Sequence, residues 1–204
     1  MKHMFIIAAA AIASACISCH PTQTDDKNGS NPVIENIMSR RSIRNYRPAA
    51  VGRDTLNKIM ECGINAPNGM NRQSWEIRIA DTPEAMESIC ESMVQANPDI
   101  APEIVKGCFR GAPVMIFIAN DTSYDCSAID CGLLSENIML SAWSLGVGSV
   151  CLGSPVRFLK NSEKALETLA FSEGYDPVIC IRLGYPDEKP EAKPRDISKF
   201  RYIE

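Results

Sequence analysis

The chain has 204 residues, of which 45% are hydrophobic and 23% charged, and its formal net charge is −4. These values are typical of a single globular domain, and the acidic balance argues against a general nucleic-acid binder. The only two histidines, His3 and His20, lie near the N-terminus. The rest of the chain therefore cannot carry Ser-His-Asp hydrolysis, Cys-His proteolysis or a histidine-ligated metal, and we expect no metal site.

The N-terminus has the layout of an export signal. Lys2 precedes an unbroken run of apolar and small residues from Met4 to Ala15, which ends in an Ala-Ser-Ala cleavage sequence. The run is too short to serve as a membrane span. Cys16 and Cys19 follow it, and their context resembles the lipobox of bacterial lipoproteins, in which the cysteine is acylated. We therefore predict an exported, membrane-anchored lipoprotein, with simple secretion as the alternative and a cytoplasmic location if the signal is not used.

The predicted domain organisation follows from this start. Residues 1–19 form the signal and lipobox region, residues 20–32 form a polar, flexible tether, and residues 33–204 form a single folded domain. Seven further cysteines lie in that domain, without C-x-x-C spacing. An odd number without such spacing indicates neither a disulfide framework nor a zinc site.

The first half of the domain is predicted to be mainly helical. The patterns predict an amphipathic helix at Val33–Ser39 that could continue through Arg44 and is stopped by Tyr46-Arg47-Pro48. The next predicted elements, in chain order, are a helix at Asp54–Asn65, a loop at Ala66–Gln73 and a strand at Trp75–Ala80. They are followed by a helix at Pro83–Asn97, capped by Thr82, and a short helical piece at Ala101–Lys106.

The second half contains two segments apolar enough to be buried on every side. Ala112–Ala119 is predicted to be a strand buried on both faces. Asp125–Leu145 is predicted to be a helix that is apolar all round, which one chain of this size can hardly surround, so we expect it to form a dimer core. The remaining predictions are a strand at Gly146–Gly153, a helix at Ser162–Phe171, a strand at Val178–Leu183, and a polar tail that wraps over a surface or reaches a partner.

Residues Arg40–Arg44, with the sequence RRSIR, concentrate three guanidinium groups and a hydroxyl. Guanidinium groups match phosphate oxygens in geometry and keep their charge at all relevant pH values. If the helix continued, Arg40 and Arg44 would lie one turn apart and could face one target. On an acidic chain such a cluster suits a small anionic ligand, and a solvated charged patch is the alternative.

Together with the loop PNGMNRQSW at Pro67–Trp75, RRSIR resembles the nitroreductase family of flavin mononucleotide (FMN) enzymes. That family carries an R-[RH]-S-x-[RK] stretch near its start and then P-S-x-x-N-x-Q-P-W. Asn68 and Ser74 stand where the family has serine and proline. The resemblance extends to LGVGSVCLGS at residues 145–154, to a Gly-Tyr-Pro after the last strand, and to Lys-Pro-Arg at residues 193–195.

The resemblance implies a fold, an assembly and an activity. The implied fold is α+β, with a central, mostly antiparallel sheet flanked by helices and a long buried helix, and the implied assembly is an intertwined homodimer. The implied activity is an FMN-dependent oxidoreductase that takes hydride from NADH or NADPH and reduces small acceptors, such as nitroaromatics or quinones, in a ping-pong cycle. The flavin carries the chemistry, and no side chain is assigned as catalytic.

The resemblance also implies which residues bind FMN. They are Arg40, Arg41, Ser42, Arg44, Pro67, Asn68, Asn71, Gln73, Gly153, Ser154, Lys193 and Arg195. Arg40 and Ser42 would hold the phosphate, joined by Arg195 and Lys193 of the tail. Arg44 would lie beside the pyrimidine edge of the flavin. The amides of the loop would contact the ring and the ribityl chain, in the family from the other subunit. At Gly153 the absence of a side chain would permit close approach to the flavin.

Three alternatives remain open from the sequence. Reductive dehalogenation or flavin destruction would keep the fold, but the chain has no obvious lid insertion for a bulky substrate. A flavin-binding or scavenging lipoprotein without turnover would fit export, because NAD(P)H is scarce outside the cytoplasm. For Lys193 and Arg195 a solvated basic tail is the alternative to a role in binding.

Overall fold

The computed structural model describes residues 31–203, which form one compact unit. The strands are β1 (Trp75–Ala80), β2 (Val114–Asp121), β3 (Gly148–Leu152) and β4 (Tyr175–Gly184). The helices are α1 (Pro32–Ser39), α2 (Arg53–Ile64), α3 (Pro83–Gln95), α4 (Pro102–Lys106), α5 (Ser127–Ser144), α6 (Ser154–Lys160) and α7 (Glu163–Leu169). The predicted export signal, with Cys16 and Cys19, lies outside the described residues, as does most of the predicted tether.

The strands form one sheet in the order β1-β2-β4-β3, and every neighbouring pair is antiparallel. Ile118 of β2 pairs with Ile77 of β1, and Ile116 pairs with Ile181 of β4. The register between β2 and β4 shifts by one residue beside Pro177, which has no N–H to donate to a regular ladder. The predicted α+β class, with a central antiparallel sheet flanked by helices, is confirmed.

Helices cover both faces of this sheet. One cluster joins the sheet to α2 and α5 and contains Ile116, Ile181 and Leu183, while the other joins it to α3, α4, α6 and α7 and contains Met115 and Phe117. Alternate residues of a strand point to opposite faces, so the continuous apolar run of β2 supplies both clusters. The prediction of a strand buried on both faces is confirmed.

Helix α5 is covered by its own chain on one side only. Leu134 and Ile138 are fully buried against the sheet and α2. On the other side, Ile129 is 64% exposed and Leu133 is 40% exposed. The helix is therefore present as predicted, but this chain does not surround it, and the predicted dimer core stays a prediction.

Two parts of the chain differ from expectation. Helix α1 ends at Ser39, and the backbone from Arg40 onward is extended, so the expected continuation through Arg44 is wrong. The reason is tertiary: Ile43 is fully buried, and its N–H donates to the Ser149 carbonyl at 2.9 Å. Helix α6 was not predicted, because its seven residues are too few for a clear period.

The seven cysteines among the described residues are all free. Cys108, Cys131 and Cys180 are buried, and burial raises the pKa of Cys131 to about 12 and that of Cys180 further. Within residues 31–203, no cluster of three or more His, Cys, Asp or Glu side chains is placed to hold a metal ion. In the same part of the chain, no helix combines the length and apolar character needed to cross a membrane.

Candidate functional site

The RRSIR segment lies beside the edge strand β3. Ser42 and Ser149 form an isolated parallel bridge, and the bond from Ile43 to Ser149 extends it. The side chain of Ile43 packs over Gly148, where a Cβ atom would lie only 2.7 Å from it, so glycine permits this close contact. Because β3 leads directly to Gly153, two of the predicted cofactor-binding motifs lie at one edge of the sheet.

The three arginines of this segment have different surroundings. The Arg40 side chain is 20% exposed, and its Nε lies 3.8 Å from the Glu136 carboxylate of α5. The Nη1 of Arg41 donates to the carbonyls of Met38 and Arg40, both at 2.8 Å, and so caps the end of α1. Arg44 is exposed. The three guanidiniums therefore have separate environments, and the helical turn that would place Arg40 and Arg44 on one face is absent.

The backbone that carries Arg44 is held by the start of the C-terminal tail. The Glu188 carboxylate accepts hydrogen bonds from the backbone N–H groups of Arg44 and Asn45, and from the Asn45 side chain at 2.8 Å. These hydrogen bonds lower the pKa of Glu188. The tail is therefore tied to the RRSIR segment at this point.

The loop between α2 and β1 has an uncommon backbone. Met70, Asn71 and Gln73 have φ values of 53°, 54° and 50°, in the left-handed region that non-glycine residues rarely occupy. Asn68 closes the loop, because its Oδ1 accepts from the Gln73 N–H at 2.9 Å and its Nδ2 donates to the Ala66 carbonyl. Such a conformation persists only where the surroundings enforce it.

The side chains of Asn71 and Gln73 are free to meet a ligand. Both residues are exposed, and within residues 31–203 neither side-chain amide hydrogen-bonds to another group. An amide offers both donors and an acceptor. Pro67 is also exposed, at the start of the loop, whereas Asn68 is half-buried by its role in closing it.

Two residues that the sequence analysis did not assign hold this loop. Asp130 of α5 is 2% exposed and accepts from the Gly69 N–H at 3.0 Å and from the Ser74 hydroxyl at 2.7 Å. The Tyr124 hydroxyl packs against Gly69, and the Arg72 guanidinium lies 4.4 Å from the Tyr124 ring centroid. The sequence feature that could have identified Asp130 is its position in an otherwise apolar helix. A carboxylate buried with such a helix needs hydrogen-bond donors from elsewhere in the chain.

Gly153 and Ser154 lie where β3 passes into α6. Both are exposed, and Gly153 has a φ of −90°, a conformation open to any residue. No atom of the described chain lies within 4 Å of a Cβ built at Gly153. Packing within the chain therefore does not require glycine here, and the open space is compatible with the predicted approach of a flavin.

Lys193 and Arg195, the predicted phosphate ligands of the tail, make no contact with the rest of the described chain that holds them at this site. From Glu191 to Ile203 every residue is exposed. Among the described residues, Lys193 and Arg195 form no salt bridge and no hydrogen bond through their side chains. Their assignment to the phosphate stays a prediction, as do the roles of the other cofactor-binding residues.

Comparison with known proteins identifies the wider group. The nitroreductase family model matches residues 37–185. A Methanothermobacter thermautotrophicus protein provisionally named NADH dehydrogenase/NAD(P)H nitroreductase is 30% identical over 171 residues, which cover 81% of this chain and 83% of that protein. An NADPH-flavin oxidoreductase of Vibrio harveyi is 29% identical over 172 residues, covering 81% and 70% of the two chains.

A solved structure agrees with the sequence comparison. The crystal structure of a nitroreductase with bound FMN from Desulfitobacterium hafniense superimposes with a TM-score of 0.76 at 28% identity, covering 86% of this chain and all of that one. The family match spans more than half of the chain and includes RRSIR, the 67–75 loop and β3. The chain belongs to the nitroreductase family.

Proposed function

We propose that the protein is an FMN-dependent oxidoreductase that takes hydride from NADH or NADPH and passes the electrons to a small nitroaromatic or quinone-like acceptor in a ping-pong cycle. The named activities of its relatives, an NAD(P)H nitroreductase and an NADPH-flavin oxidoreductase, support this function. The observation that carries it is the Ser42–Ser149 bridge, which brings the predicted phosphate-binding segment beside the strand that leads to Gly153.

The residues at this edge fit the chemistry of FMN. Its phosphate is an anion with several acceptor oxygens, and Arg40 and Ser42 offer donors of the kinds that bind phosphate strongly. Glu136 balances the charge of Arg40 at 3.8 Å, and because that carboxylate is half exposed the pair is weak. A phosphate can therefore compete for the Arg40 guanidinium.

Within this proposal each region has a separate task. Arg40 and Ser42 bind the phosphate, and the amides of Asn71 and Gln73 orient the ring by donating and accepting hydrogen bonds. Arg44 places a fixed positive charge beside the pyrimidine edge, which favours the reduced, anionic form. Bound FMN supplies the hydride chemistry, so no side chain has to act as a nucleophile.

The test is a visible absorption spectrum of the purified protein, followed by anaerobic titration. We expect a flavin spectrum, release of FMN on heating, bleaching by NADH or NADPH, and recovery of the spectrum when a quinone or nitroaromatic is added. Steady-state rates should give parallel double-reciprocal lines. A protein that takes up no flavin under any condition contradicts the proposal.

A second candidate is a flavin-binding or scavenging protein without turnover. The predicted export signal at residues 1–19 favours it, because a soluble nicotinamide donor is scarce outside the cytoplasm. The anaerobic titration separates the two functions, since binding of FMN without bleaching by either nicotinamide supports the scavenger.

We also propose that the functional unit is a homodimer. The outer side of α5 exposes Ile129 and Leu133, and α1 exposes Val33 and Met38 at 65% and 70%. Exposed apolar side chains of this size, which on α5 lie one helical turn apart, are typical of an interface between chains. Sedimentation of the wild type should give a dimer, and Ile129→Glu should shift it towards monomer. The matched control is Ile104→Glu, which changes an exposed isoleucine on α4.

The proposed location is outside the cytoplasm, with a lipid anchor on Cys16 or Cys19. The support is the sequence of residues 2–19 alone. Mass spectrometry of the N-terminal peptide from cells should detect an acylated cysteine, and Cys16→Ala or Cys19→Ala should release the protein from the membrane fraction. An intact N-terminal methionine on the cellular protein contradicts this location.

A further inference from the structure

A buried carboxylate lies under the loop that is proposed to contact the flavin. Asp130 is 2% exposed, and among residues 31–203 no basic side chain forms a salt bridge with it. Its two hydrogen-bond donors are the neutral Gly69 N–H at 3.0 Å and the Ser74 hydroxyl at 2.7 Å. Removing a carboxylate from water is strongly unfavourable unless its partners offset the loss.

Packing of α5 does not explain this carboxylate. The neighbouring buried positions of the helix carry neutral side chains, as at Ser127, Cys131 and Leu134, and an apolar residue at a buried charged position is often neutral or stabilising. The feature that only an acceptor can provide is a pair of hydrogen bonds to the loop. The helix dipole also favours a negative charge in the first turn of α5, where Asp130 lies, but the two hydrogen bonds to the loop are specific to this side chain.

The two donors flank the loop's strained part. Gly69 precedes Met70 and Asn71, and Ser74 follows Gln73, so the carboxylate fixes both ends of the segment with left-handed backbone. Each left-handed non-glycine residue is strained, and it persists only when its surroundings hold it. The conformation that presents the amides of Asn71 and Gln73 depends on these hydrogen bonds.

We infer that Asp130 is a positioning residue of the proposed flavin site and that it acts through Gly69 and Ser74. It sets the orientation of the Asn71 and Gln73 amides before the ligand binds. This preorganisation reduces the conformational entropy that the loop loses on binding. This inference rests on the proposed function. Tyr124 supports the same segment by packing on Gly69 and stacking with Arg72.

The test compares two buried serines. In Ser74→Ala one hydrogen bond to Asp130 is lost, whereas in the control Ser135→Ala a bond to the Cys131 carbonyl within α5 is lost. We expect Ser74→Ala to raise the Kd for FMN about 10-fold and Ser135→Ala to leave it within about 2-fold, even where both lower the melting temperature. Asp130→Asn, which keeps an acceptor for Gly69, should weaken binding less than Asp130→Ala.

Limited trypsin digestion of the protein without FMN gives a second readout. Cleavage after Arg72 should accelerate in Ser74→Ala and in Asp130→Ala relative to cleavage after Lys199, which lies in the exposed tail. Ser135→Ala should leave this ratio unchanged. These measurements report the loop directly and do not depend on activity.

The outcomes separate the inference from the proposed function. If the wild type binds no FMN, the proposed function fails and the positioning role fails with it, although the digestion still reports whether Asp130 holds the loop. If the wild type binds FMN, an unchanged Kd in Ser74→Ala or an unchanged cleavage ratio overturns the inference while the proposed function stands.

Discussion

Two basic regions are assigned to one phosphate, and the chain fixes only one of them. The RRSIR segment is held by its bridge to Ser149 and by burial of Ile43. The tail that carries Arg195 is exposed from Glu191 to Ile203. One half of the predicted site is therefore preformed in a single chain, whereas no contact among the described residues fixes the side chains of Lys193 and Arg195.

The largest effect is expected in the preformed region. Arg40→Ala should lower FMN affinity by about 2–5 kcal/mol, because the phosphate would lose a charged donor. Equilibrium dialysis measures the affinity. Arg53→Ala is the control: Arg53 is exposed on α2 and pairs with Asp81 at 2.7 Å. Equal flavin retention in the two variants contradicts the phosphate assignment.

A smaller effect is expected in the tail. Arg195→Ala should lower FMN affinity by about 1–3 kcal/mol, because a residue on an unconstrained segment loses more entropy when it binds. Arg201→Ala, a further exposed arginine in the tail, serves as the control.

Mixing variants shows which chain supplies the tail. If Arg40 and Arg195 at one phosphate come from different subunits, a heterodimer of Arg40→Ala and Arg195→Ala chains has one intact site and one doubly defective site, and it recovers half of the FMN capacity. If both come from one chain, every site carries one defect and no recovery occurs.

The change expected in the 67–75 loop is smaller and concerns the stability of the fold. Gly69→Ala places a Cβ 2.0 Å from the Tyr124 hydroxyl, so Tyr124 must leave its stacking contact with Arg72. We expect a loss of about 1–2 kcal/mol in the free energy of unfolding, measured by urea denaturation. Gly52→Ala meets no atom within 4 Å and should change stability by less than about 1 kcal/mol.

The smallest effect concerns the hydrogen bonds between Glu188, at the start of the tail, and the backbone that carries Arg44. Hydrogen bonds lower the pKa of Glu188 in the folded state, so its contribution to stability is present above the unfolded pKa near 4.5 and is lost as the pH falls through the folded value. Glu188→Gln should be less stable than the wild type at neutral pH, and the difference should shrink in acid. Urea denaturation across this pH range measures it, and a constant difference contradicts the role of the carboxylate.

Much of the fold was predictable because local patterns decide it. The run of β2 and the long apolar α5 carry their structure in consecutive residues, and Thr82 caps α3 as expected. The course of the chain after Ser39 was not predictable in this way. Arginine and isoleucine are compatible with a helix, but a bond from Ile43 to a strand far along the chain outweighs that preference.

For the candidate site, too, the residues in sequence motifs were predictable and those held by long-range contacts were not. The motifs predict which residues belong to the site, and the bridge between Ser42 and Ser149 brings the RRSIR segment beside β3, which leads to Gly153. The motifs gave no indication of Asp130, because its partners are a backbone N–H and a serine from another part of the chain. A contact of this kind leaves no spacing for a sequence pattern to reveal.

The interior sulfur atoms have a consequence for chemical durability. Oxidation and disulfide exchange proceed through the thiolate, and a pKa of about 12 leaves only about one Cys131 side chain in 100,000 ionised at neutral pH. Cys180 is ionised still more rarely. These thiols therefore resist oxidation without a disulfide partner or a reducing buffer, because burial in the apolar core disfavours the reactive thiolate.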